Sequence, residues 1–134
     1  MRLIAVSLRA SDWFNDNYRL MDYGFSNFKL YSIYDKNQLI TLATVVNGVK
    51  DKVPLVSNNE FQYPLREEEK DKIKLSIEIN ENIDAPILKG DILGSLNVFF
   101  DGKLIREDEL VAKYNIDKKS FINRFLDDIK SKSN

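Results

Sequence analysis

The chain has 134 residues, 20 Lys plus Arg against 21 Asp plus Glu, 43% hydrophobic residues, and neither Cys nor His. That length and apolar share are enough for one ordinary domain core. A formal charge of -1 lacks the basic excess on which duplex binding rests, so no nucleic-acid partner is expected. Without Cys or His there is no disulfide, thiol nucleophile, His general base or usual zinc site, and the sequence calls for no cofactor and no metal.

Leu3 to Leu8 is a nearly continuous apolar run of strand length, the pattern of a strand covered on both faces. It is far too short to cross a bilayer and, ending at Arg9, does not read as a signal peptide. A helix is expected next. Ser11 or Asp12 can cap it, Phe14, Tyr18, Met21 and Phe25 recur at roughly helical spacing, and Gly24 sits where a left-handed C-terminal cap would fall. One strand and one helix are not a domain, because the strand lacks the neighbours that would cover its faces.

From about Phe28 to Ile105 the pattern is one of consecutive short strands. Leu39 to Val46 and Val49 to Leu55 flank Asn47-Gly48, which predicts a type I′ hairpin. Ile73, Leu75, Ile77 and Ile79 alternate with polar residues at a period of two, predicting one face toward a core and one toward water. Asn82 to Gly90, with Pro86, reads as a connection, and Ile92 to Phe100 as a strand turned by Asp101-Gly102 into Lys103-Leu104-Ile105. Pro54 and Pro64 suit edges or strand starts, since neither donates to a ladder. Strands this closely spaced predict a mainly β fold, a small antiparallel β-sandwich.

Residues 106–134 turn charged and then amphipathic. Phe121, Ile122, Phe125, Leu126 and Ile129 share one helical stripe, with Asp117 as a cap and Lys119, Arg124 and Lys130 outside it. From Asp117 onward the side chains carry a net charge of +2. A C-terminal amphipathic helix is expected, suited to an anionic membrane surface or to packing on the sandwich, with Phe121, Ile122, Phe125, Leu126, Ile129, Lys119 and Lys130 as its membrane-contact candidates.

Three blocks go further: Met1-Arg2-Leu3-Ile4-Ala5-Val6, Leu20-Met21-Asp22-Tyr23-Gly24-Phe25, and Ala85-Pro86-Ile87-Leu88-Lys89-Gly90-Asp91 running on through Gly94 to Asp101-Gly102-Lys103. In order and spacing they resemble the C-terminal part of a penicillin-binding protein 5 type D-alanyl-D-alanine carboxypeptidase. The resemblance implies that residues 1–27 are the terminal strand and helix of a truncated α/β serine peptidase domain. It likewise implies that residues 28–107 are its all-β accessory domain and residues 108–134 a charged linker and tail helix. Family members are exported enzymes at the outer face of the bacterial cytoplasmic membrane. They remove the terminal D-alanine of peptidoglycan pentapeptides through a serine acyl-enzyme that penicillins also form.

The family's Ser-x-x-Lys, Ser-x-Asn and Lys-Thr-Gly motifs all lie upstream of the matching segment, so the resemblance carries over no catalytic residue. Ser26-Asn27-Phe28-Lys29 does spell Ser-x-x-Lys, and Ser57-Asn58-Asn59 and Ser95-Leu96-Asn97 spell Ser-x-Asn. With 10 Ser and 14 Lys in 134 residues, one Ser-x-x-Lys is expected by chance. The functional serine should open a buried helix with Lys one turn later, whereas Ser26 follows the expected helix end. Arg66 to Lys72 reads as a solvated connection rather than a cation loop, and Asp12, Asp16 and Asp22 form no recognisable metal set. Tyr18, Tyr23, Phe25, Phe28, Tyr31 and Tyr34 are expected to pack in the core or at a domain interface.

The expectation is therefore a noncatalytic C-terminal part of such an enzyme, its β-domain a pedestal that positions the active site relative to the membrane. Its partners would be the missing peptidase domain in cis, a membrane surface through the tail, and another copy through the orphan strand at Leu3 to Leu8. The alternative is a stand-alone β-sandwich module that binds a cell-wall component or a protein partner through its strand edges.

Overall fold

Alternating side chains and tight turns fold the described residues into seven strands that follow one α-helix. The computed structural model describes residues 2–5 and 12–120. Helix α1 (Trp13–Asn27) leads into β1 (Lys29–Tyr34), β2 (Leu39–Thr44), β3 (Lys52–Ser57) and β4 (Phe61–Leu65). A 3-10 helix (Glu67–Lys72) then precedes β5 (Ile73–Ile79), β6 (Ile92–Phe100) and β7 (Lys103–Ala112). The named strands pair antiparallel throughout, β1 with β4 in one sheet and β2-β3-β7-β6-β5 in the other. Between the sheets lie Tyr34, Val53, Leu55, Leu96, Val98, Leu110 and Ile116, all fully buried. The antiparallel sandwich read from the sequence is thus the fold.

The β6–β7 hairpin turns through Asp101-Gly102, both at positive φ (49° and 80°), as a type I′ turn requires. Asn47-Gly48 differs. Only Asn47 has positive φ, and the β2–β3 ladder closes earlier, at Thr44↔Lys52. The expected two-residue hairpin is instead a seven-residue loop, 45–51, because that loop has other partners. Val46 bridges Asp84, Gly48 bridges Lys118, and the Val49 N–H donates to the Asp117 carbonyl at 2.9 Å. These bridges satisfy backbone groups that a tight hairpin would have left unpaired.

At the N-terminal end, α1 continues three residues beyond Gly24, which is no left-handed cap. Gly24 is buried because the Leu3 side chain occupies the space where a Cβ would project. Phe28 ends the helix, its N–H donating to the Gly24 carbonyl at 3.0 Å. Asp12 is the N-cap residue, but its carboxylate accepts from the Asn15 side chain rather than from the helix backbone. Residues 2–5 belong to neither sheet, so the described part of the expected Leu3–Leu8 strand forms no ladder. The remainder of that run, the Ser11 cap and the Phe14 side chain lie outside the description.

The charged stretch beginning at 108, expected as a linker, is largely sandwich. β7 runs to Ala112, and Asp108, Leu110, Val111, Ala112 and Ile116 are buried. The connection at 82–90 is also inside the fold. Ile83, Ala85 and Ile87 are buried, the Ala85-Pro86 peptide is cis, and Ile87 bridges Ile116. Pro64 lies in the two-stranded sheet, whereas Pro54 lies on the inner strand β3, one residue before its pairing with β7 begins at Leu55. Opposite Pro54 stands Lys113, whose N–H donates to the Pro54 carbonyl at 3.0 Å, so the missing N–H of Pro54 forgoes only the reciprocal bond, at the very end of that ladder.

Candidate functional site

The serine motifs do not assemble a site. Ser26 is an exposed residue of α1 and Lys29 an exposed residue of β1, so the helix that should hold both ends between them. Ser57 is fully buried, and its hydroxyl donates to the Asp35 carbonyl at 2.5 Å and accepts from the Gln38 N–H at 3.2 Å. That closes the β1–β2 turn and leaves no proton for chemistry. Ser95 pairs with Glu78 across β5 and β6. Among the described residues no three Asp or Glu side chains converge to hold a metal ion, so Asp12, Asp16 and Asp22 do not form one site.

A polar cluster reaches from the surface into the core, where Tyr34 and Asp108 are buried. The Tyr34 hydroxyl donates to Asp108, which also accepts from Arg106 Nε at 2.9 Å and Asn59 Nδ2 at 3.3 Å. Burial, followed by the bond to Asp108 and its charge, pushes the Tyr34 hydroxyl well above the usual tyrosine range. At Asp108 burial acts to raise the pKa, but the three donors outweigh it, and the carboxyl is held below its ordinary value. The arrangement is one anion with all its near donors spent on it, suited to fixing two sheets rather than to transferring protons. Sequence reading missed Asp108 because it lies in Arg-Glu-Asp-Glu. The apolar Leu110-Val111-Ala112 that follows was the signal that the strand had not ended.

The junction between α1 and the sandwich is built on Arg66. Its Nη2 donates to the Tyr23 hydroxyl at 2.5 Å, and its guanidinium lies 5.0 Å from the Phe28 ring centroid. Next to it the Tyr31 hydroxyl donates to Glu67 at 2.8 Å, and Lys70 pairs with the same carboxylate at 3.0 Å. The Glu67 pKa is accordingly lowered, first by the bond from Tyr31. The charge run 66–72, expected as a solvated connection, is thus a 3-10 helix capped by Arg66, with Glu67 and Glu68 exposed.

On the sandwich surface a cleft of about 540 Å³ has Val56 and Val111 as its floor and Asn37, Asn58, Lys89, Lys113 and Tyr114 at its rim. Lys89 and Gly90 reach it from a turn whose Leu88 N–H donates to the Asp91 carboxylate at 2.9 Å, with Gly90 at φ 93°. Lys50 sits over the Tyr114 ring at 5.3 Å. Lysines are the only charged residues in its lining, so the cleft suits an anionic group attached to an apolar body.

Of the membrane-contact candidates, Lys119 is half-buried, and its backbone N–H donates to the Asn47 carbonyl at 2.7 Å. Phe121, Ile122, Phe125, Leu126, Ile129 and Lys130 lie outside the described residues. No helix among the described residues is long and apolar enough to cross a membrane.

With this geometry in hand, residues 28–118 match the family described as penicillin-binding protein 5, C-terminal domain. The chain belongs to that family. It is 30% identical over 126 residues to the D-alanyl-D-alanine carboxypeptidase DacF of Bacillus subtilis, covering 91% of this chain and 32% of that protein. To DacC of Escherichia coli it is 26% identical over 131 residues, covering 95% of this chain and 33% of that one. Among solved structures, penicillin binding protein 5 from Haemophilus influenzae superposes with a TM-score of 0.67 at 23% identity, covering 78% of this chain and 30% of that one. A peptidoglycan synthesis regulatory factor from Streptococcus pneumoniae superposes at 0.59 and 23% identity, with coverages of 78% and 31%. At such identities the structural likeness speaks for the fold. The chain spans about a third of the length of these relatives.

Proposed function

We propose that this chain is the noncatalytic C-terminal part of a serine-type D-alanyl-D-alanine carboxypeptidase, and that its sandwich is a pedestal for a peptidase domain at the outer face of the bacterial cytoplasmic membrane. The observation that carries the reading is α1. Tyr18, Leu20 and Phe25 on it are 66%, 57% and 56% exposed. Large apolar groups so far out of water's favour on one helix are what a peptidase domain would cover. The Arg66, Tyr23 and Phe28 contacts would then fix the angle between that domain and the pedestal. The test is incubation with a labelled penicillin followed by intact-mass analysis. No covalent adduct is expected, and an adduct on any serine of this chain overturns the reading.

The tail is part of the same proposal. Five apolar side chains on one helical stripe, with Lys119 and Lys130 flanking them, favour binding to an anionic bilayer surface. In flotation with vesicles containing phosphatidylglycerol, the full chain is expected to rise with the lipid and a chain ending at Ser120 to remain below. Equal flotation of both removes the membrane from the proposal. A second reading, a module that binds a cell-wall component or a protein partner, is favoured by the lysine-rimmed cleft over Val56 and Val111.

A further inference from the structure

Among the described residues, strand β5 is paired on one side only, with β6, and it ends the five-stranded sheet. Its sequence is Ile73-Lys74-Leu75-Ser76-Ile77-Glu78-Ile79. The apolar residues lie on the core face, opposite the buried Leu96 and Val98 of β6, yet Leu75, Ile77 and Ile79 are 49%, 43% and 40% exposed. Every residue of β5 after Ile73 is exposed. An open edge with half-covered apolar side chains is the feature that natural sheets blunt, commonly with an edge lysine.

Here the lysine does not blunt it. When this strand is laid antiparallel against a second copy of itself, centred on Ser76, every position meets a compatible one. Ile73 faces Ile79, Leu75 faces Ile77, and Lys74 faces Glu78, each twice by symmetry, with Ser76 opposite Ser76 on the axis. Residues directly opposite in an antiparallel pair share a face, so both core faces fall on the same side and the two sheets become one of ten strands. Neither Lys74 nor Glu78 has an ion-pair partner among the described residues, so both are free to pair across the axis. A one-residue slip would set apolar against charged side chains.

We propose that β5 is a self-complementary edge through which two copies of the chain associate about a two-fold axis at Ser76. A single strand pair is a small interface, so the association is weak and visible in sedimentation equilibrium of the 134-residue chain as a concentration-dependent monomer–dimer equilibrium.

Lys74→Glu puts two like-charge pairs into the interface, as does Glu78→Lys, and each should weaken dimerisation by about tenfold or more. Mixing the two variants should recover it, because each Glu then faces a Lys, and the double exchange K74E/E78K should recover it within one chain. The positions are exposed, and circular dichroism checks that every variant is folded. As an independent readout, Ser76→Cys in this otherwise cysteine-free chain should be trapped as a disulfide dimer under mild oxidation, while Thr44→Cys on the opposite edge strand should not. A chain that stays monomeric into the millimolar range overturns the proposal. So does an association that Lys74→Glu leaves unchanged, or equal trapping of the two cysteine variants.

Discussion

On either side of Leu96 the sheet places one residue of β5 and one of β7, Ile77 and Asp108, in a single row on the core face. Their exposures invert their chemistry, since the isoleucine is 43% exposed and the aspartate 6%. The cause is position in the sheet. β7 is an inner strand, and at Asp108, just past the end of its pairing with β3, Tyr34 of β1 and Asn59 close over it, so a side chain in the row at β7 loses water. β5 ends the sheet, and a side chain there keeps water on one flank even when it points to the core side. Alternation thus fixes which face a residue takes, and strand order fixes how deep that face lies.

The sharpest way to break this contrast is Asp108→Asn. It leaves the Arg106 guanidinium without its anion and puts an amide where the Tyr34 hydroxyl donates. A buried charge pair losing one partner costs 3–5 kcal/mol, but Arg106 is 39% exposed and water takes over part of its solvation, so we expect a loss of about 2–3 kcal/mol in urea denaturation. The pH dependence fixes the cause. The Asp108 carboxyl is held below its unfolded value, so its contribution is complete above pH about 4 and is lost as pH falls through the depressed folded value. The gap between wild type and variant should therefore close on acidification. Tyr34 works at the other end. Its raised pKa stabilises the fold fully below pH about 10, and that contribution is lost as pH rises further. A gap that persists unchanged at low pH would mean that Asp108 acts through packing and not through its charge.

The same contrast explains what was legible in the sequence. The strands β5 and β6, the Asp101-Gly102 turn and the sandwich class followed from period and turn chemistry, which are local. The 45–51 loop and the part of β7 beyond Ile105 did not. Asn47-Gly48 has the composition of a hairpin, but its backbone groups are claimed by Asp84 and by 117–119, far along the chain. Arg106 to Glu109 has the composition of a linker, and only the approach of Tyr34 from β1 makes a core position of Asp108. At the candidate site the reading gave the family. The lysine-rimmed cleft joins residues 37, 56, 89 and 113, a grouping that no spacing rule contains.

The smaller test is at the other end of the row. Ile77→Thr keeps the β-branched shape that suits a strand and replaces one apolar arm by a hydroxyl. At a fully buried site that exchange strands a polar group. At Ile77 the hydroxyl can reach water along the open flank, and only part of the side chain's transfer energy was ever gained. In dilute solution the loss should stay below about 1 kcal/mol by urea denaturation. A loss of about 2 kcal/mol or more at the same dilution would place β5 as deep as β7 and erase the difference between the two flanks of Leu96. Raising the protein concentration sharpens it further, because self-pairing through β5 would bring Leu75 of a second copy onto Ile77. The penalty of Ile77→Thr should then grow with concentration, while that of Asp108→Asn, on a strand already paired on both sides, should not.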